Sequence, residues 1–149
     1  ATLTAATASL TADFNASGYT MVGFEVFVTG SSGATLFRMT LNGDSAAHYA
    51  YVYSVNGGAT TTGVSQAYID LTGTTYTGGG YCTIKGSAAL GQASDFVAAC
   101  RRFGAITLAP QTDESGGTYN GTTALTSVTF AASAGTLSAG TTIRVFGAQ

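Results

Sequence analysis

The chain reads as an all-β protein: an antiparallel β-sandwich, jelly-roll-like, of seven to eight strands. Three observations predict it. Apolar residues recur with a period of two, as they do in strands whose side chains alternate between faces. Clusters of Gly, Ser, Asn and Thr punctuate those runs at turn-like spacing. No long helical pattern separates the strands, which argues against a parallel sheet with crossover helices.

The 149 residues fit one domain, spanning 1–149. Apolar residues make up 45% of the chain, but charged residues only 8%, far below the usual ~25%. Thr, Ser, Ala and the 21 Gly fill that gap, and Pro110 is the single proline. Such a surface suits contact with neighbours, because burying Thr or Ala is cheaper than burying Lys or Glu. Net charge is −2, and the one basic pair is Arg101–Arg102, so nucleic acid is not an expected partner. No apolar run approaches the ~18 residues a membrane helix needs, so no membrane partner is expected. Ala1 is what remains when an initiator Met is trimmed, which predicts synthesis in a cytoplasm without a signal peptide.

Residues 1–12 alternate weakly through Leu3 and Leu10 and predict an edge strand or an arm reaching a neighbour. Val22, Phe24, Val26 and Val28 alternate with Met21, Gly23, Glu25 and Phe27. Both sets are largely apolar, which predicts a central strand covered on both sides, with Glu25 in need of a partner. Gly30–Gly33 signals a hairpin, and the next strand, Leu36–Leu41, puts Phe37, Met39 and Leu41 on one face. Asn42-Gly43-Asp44 then turns the chain, since Asn and Gly accept positive φ. From His48 to Val55, residues Tyr49, Tyr51, Tyr53 and Val55 share a face, and Asn56-Gly57-Gly58 ends the run. Val64–Leu71 is a further expected strand, Thr72–Gly80 a polar loop, and Tyr81–Lys85 a short strand. Ala88–Cys100 is the one place where helical turns are expected, for its Ala content. Arg102–Ala109 reads as a strand, Gln111–Thr123 as a polar loop, and Leu125–Phe130 and Thr142–Phe146 as the last strands.

The residue inventory predicts no enzyme, cofactor or metal. A hydrolase needs a nucleophile beside a base, and the single histidine, His48, sits among strand tyrosines where a structural role is expected. Asp113 and Glu114 are adjacent, so they point in different directions rather than facing each other as a glycosidase pair does, and a solvated loop tip is expected. A calcium loop would need alternating acidic ligands that are missing there. Gly78–Gly80 lacks the following Lys and helix of a phosphate loop. Cys82 and Cys100, 18 positions apart, are expected as buried reduced thiols, with a disulfide as the alternative. Tyr49, Tyr51 and Tyr53 are expected to pack between the sheets; the alternative is a flat platform for sugar rings.

Two segments carry a resemblance. Leu41-Asn42-Gly43-Asp44, followed by the strand through Tyr49, Tyr51 and Tyr53, resembles an accessory domain of bacteriophage heads and tails. So does the ending: Leu125–Phe130, then Ala139-Gly140-Thr141, then Ile143–Gly147. The two matches frame residues 20–147, while the middle, 57–110, aligns with nothing. The resemblance implies a jelly-roll-like virion module, often trimeric, made in the host cytoplasm, and it brings no catalytic residues. The expected role is head decoration or cement, with the major capsid protein as partner. The alternative is a tail-fibre or minor tail module, with tail proteins and a host glycan as partners.

Overall fold

The computed structural model describes residues 1–72, 78–88, 94–103, 111–121 and 123–149. Two antiparallel sheets pack face to face, and no helix occurs among the described residues. The strands are β1 (Ser9–Asp13), β2 (Met21–Val28), β3 (Phe37–Leu41), β4 (Tyr49–Val55), β5 (Thr61–Gln66), β6 (Ile69–Asp70), β7 (Gly79–Ser87), β8 (Ser94–Phe103), β9 (Gln111–Tyr119), β10 (Ser127–Ala132) and β11 (Thr142–Ala148).

One sheet has the order β1-β10-β3-β6, the other β11-β2-β7-β8-β9-β4-β5. An eight-stranded jelly roll pairs its first, last, third and sixth strands in one sheet, and its second, seventh, fourth and fifth in the other. Here the same order appears if the β7-β8-β9 meander counts as one strand and β11 as an added edge. The insertion adds two strands, so every neighbour stays antiparallel.

The inner faces carry the core. Phe37, Met39 and Leu41 of β3 and Val128 and Phe130 of β10 meet Phe24, Val26, Ile84 and Phe96 from the larger sheet, all buried. The rings of Phe37 and Phe130 lie 5.3 Å apart, and those of Phe24 and Phe96 6.3 Å apart. The turns follow their predicted chemistry. Asn42 and Gly43 both take positive φ (54° and 65°), as do Asn56 and Gly57 (50° and 71°), which is what a type I′ turn demands of its central pair.

Residues 1–12 form an edge rather than a free arm. The Ala1 amino group donates to the Ile143 carbonyl at 2.7 Å beside β11, and β1 pairs with β10. The first residues therefore cross from one sheet's edge to the other's.

Several expectations need correction. Strand number is eleven among the described residues, not seven or eight. The run Ser94–Cys100, expected to hold helical turns, is β8, whose inner side alternates Phe96, Ala98 and Cys100. Gln111–Tyr119 is strand β9, not a polar loop. The expected strand Val64–Leu71 is split into β5 and β6. Cys82 and Cys100 are opposite each other on β7 and β8 and form a disulfide, Cα–Cα 4.1 Å, rather than two thiols. Residues 73–77 of the expected loop, 89–93 of the helical segment, 104–109 of the expected strand, and Pro110 after it lie outside the described residues.

Candidate interaction surface

Arg102 and Asp113 are both fully buried between the sheets, with Arg102 Nε donating to Asp113 Oδ2 at 2.8 Å and Nη2 to Oδ1 at 3.2 Å. Gln111 Nε2 adds a hydrogen bond to the same carboxylate. The expected solvated loop tip is thus half wrong: β9 alternation turns Asp113 into the core and Glu114 out to solvent. Arg38 Nε donates to Asp70 Oδ1 at 2.9 Å, and its guanidinium lies 3.8 Å from the centre of the Tyr68 ring, a cation–π stack.

The tyrosine face looks inward. Tyr49 is 1% exposed; its hydroxyl accepts from Leu41 N–H and donates to the Asp44 carbonyl. Tyr49 stacks on Tyr119 at 4.9 Å, and Tyr51 on Tyr53 at 6.0 Å. Tyr51 packs against the core and donates its hydroxyl to Asp70. Burial pushes the hydroxyls of Tyr49, Tyr51 and Tyr119 up, holding them protonated. Tyr49 is buried, whereas Tyr51 and Tyr53 are half-buried.

His48 lies just before β4 and is exposed. Its Nδ1 is 2.7 Å from Asp44 Oδ2, and Asp44 also accepts from Ala46 N–H and from the Tyr119 hydroxyl. Those bonds, the His48 one first, hold the Asp44 carboxyl below the usual carboxylate range. Asn42 in the same turn uses its side-chain oxygen to accept from the backbone N–H of Thr126 at 2.7 Å and its amide to reach the Ala124 carbonyl. The turn singled out in the sequence therefore pins the start of β10 to the end of β3 and anchors two tyrosines. Its role is structural. Among the described residues no group of three His, Cys, Asp or Glu side chains is placed to hold a metal ion.

What remains open is the outer face of the seven-stranded sheet. β2 was expected to be covered on both sides; among the described residues the second sheet covers one. Its Val22–Val28 set is buried, while Met21 and Phe27 are exposed. Of the eight large hydrophobic residues exposed among the described residues, seven lie on this face, and Tyr19 is the exception. Cross-strand register arranges them in rows. One row runs Phe146, Gly23, Lys85, Val97, Gly116, Val52 and Thr62 across the sheet from β11 to β5. Phe146 lies flat over Gly23, where a Cβ would come within 2.2 Å of the ring, so only glycine admits this packing. Another row pairs Arg144 with Glu25, whose charges are 4.0 Å apart and exposed.

Asp13, Phe14, Asn15, Tyr19 and Phe146 are among the residues lining a cleft of about 310 Å³. No protein-family model matches the chain, and no curated protein matches it. The fold and its open face therefore carry the functional reading.

Proposed function

We propose that this chain is a non-enzymatic structural protein of a tailed-phage virion, a decoration or cement subunit that bridges capsid subunits on the head. One observation carries the reading: in a chain with 8% charged residues, the large apolar side chains exposed among the described residues are concentrated on one broad sheet face. Contiguous apolar patches beyond a few hundred Å² usually mark an interaction site. The buried arginines and acids are consumed in packing, which leaves no assembled set of catalytic groups among the described residues. The disulfide fits a protein that persists outside a reducing cytoplasm, as particle surfaces do.

A second reading has its own observation. The Tyr19–Phe146 cleft, with Asp13 and Asn15 beside aromatic rings, offers stacking and hydrogen bonding to a sugar ring, as a tail-fibre or minor tail module would. Copy number in purified particles separates the two. Hundreds of copies support decoration, a few to a few tens support the tail, and absence from particles overturns both. Turnover of a host polysaccharide that disappears in His48→Ala would overturn the non-enzymatic reading.

A further inference from the structure

We infer that the outer face of the seven-stranded sheet docks a second copy of this chain, with β8 lying antiparallel to the β8 of its partner across a two-fold axis. This names the partner of the face described above, and it rests on reading that face as an assembly surface.

The outward residues of β8 read Asp95, Val97, Ala99 and Arg101. A negative charge stands at one end, a positive charge at the other, and two apolar side chains stand between. All four are exposed, and Val97 is 66% exposed near the middle of the sheet. Among the described residues neither Asp95 nor Arg101 has an ion-pair partner. Turned over about an axis perpendicular to the strand, this pattern is complementary to itself. Asp95 of each copy meets Arg101 of the other, and Val97 and Ala99 meet at the centre. Facing sheets pack within about 30° of parallel, so the register is attainable over a strand of this length.

The charge balance agrees. Glu25, Asp95 and Glu114 share the face with Lys85, Arg101 and Arg144, so it is neutral. Arg38 pairs with Asp70 and Arg102 with Asp113, and the net −2 is left to Asp13 and Asp44, off this face. Two copies can approach through it without net repulsion. Six strand spacings of about 4.8 Å and four outward rows about 6.8 Å apart give a footprint on the order of 600 Å² in projection. With side-chain relief added, that is near the ~800 Å² per partner of a standard interface. A face complementary to itself closes a two-fold pair; the trimer implied by the resemblance would need two different patches.

Sedimentation of the full chain at micromolar concentration tests this. The wild type should be a dimer. Asp95→Arg and Arg101→Asp each place like charges opposite one another twice, and Val97→Glu places two carboxylates at the centre; each should weaken the dimer at least about tenfold. The double variant Asp95→Arg/Arg101→Asp should restore dimerisation to within about threefold. These positions are exposed, so an unchanged circular dichroism spectrum should accompany all four variants. A monomeric wild type, a dimer indifferent to the single variants, or a double variant that fails to recover would each overturn the inference. Particle copy number is independent of these readouts. A dimer absent from virions would overturn the assembly role alone, and a virion-bound monomer would overturn the dimer alone.

Discussion

Tyr49 shows how one side chain joins the two sheets. It comes from the larger sheet and fixes its hydroxyl on the backbone of Leu41 at the end of β3 in the smaller one. Tyr49→Ala should cost ~3–5 kcal/mol, the range for a buried aromatic. Tyr49→Phe keeps the ring but strands the buried Leu41 N–H, and should cost ~1–3 kcal/mol. Thermal melts of the two variants check both figures. The packing was legible, because three tyrosines two apart in an alternating strand must share a face. The anchoring was not, because it depends on a turn eight residues upstream meeting the ring. Asp44 in that turn predicts a pH response. Its folded pKa lies below its unfolded one, so its contribution is present above the unfolded value, about 3.9, and is lost as pH falls through the lowered folded value. Tm should therefore drop on acidification below about pH 4, and Asp44→Asn should have a lower Tm at pH 7 with a flatter acid slope.

At the scale of strands, β7, β8 and β9 behave as one cross-linked meander. Cys82–Cys100 ties β7 to β8, and Arg102–Asp113 ties β8 to β9. Replacing both cysteines with Ala should cost about 3 kcal/mol, from the chain entropy of a closed loop of this size, and denaturant melts measure it. Asp113→Ala should cost ~3–5 kcal/mol by leaving the Arg102 charge buried without its carboxylate. Replacing both Arg102 and Asp113 with Leu should recover much of that loss, since no uncompensated charge remains. This meander is also where sequence reading failed. β9 has polar residues on both faces, Asp113 and Ser115 inward and Glu114 and Thr112 outward, so it lacks the alternation that marked the other strands. Its inward carboxylate is met by an arginine from β8. The Ala-rich stretch in β8 carried a helical bias that pairing with two neighbours overrode.

Taken whole, the molecule is built from distant pairings. β1 pairs with β10, β3 with β10, and β2 with β11, so both sheets need the two ends of the chain to meet. Non-local β topologies pay loop-closure entropy before contacts form, and refolding should take milliseconds to seconds. Stopped-flow fluorescence of the oxidised chain reads this, and microsecond folding would contradict it. The same topology explains the open face. A jelly roll covers one side of each sheet with the other sheet, and the inserted meander widens the larger sheet to seven strands against four.

The amino-acid pattern alone determined the class of fold and most of the turns. Alternation, Asn-Gly pairs and residue inventory are local properties, written in neighbouring letters. The tertiary structure decided which cysteines, charges and tyrosines meet, because those partners are brought together by strand register across long stretches of chain. It also decided that only the Val22–Val28 side of β2 faces the other sheet. The sequence showed that both of its faces were apolar, but only the stacking order of the sheets reveals which of them the second sheet covers.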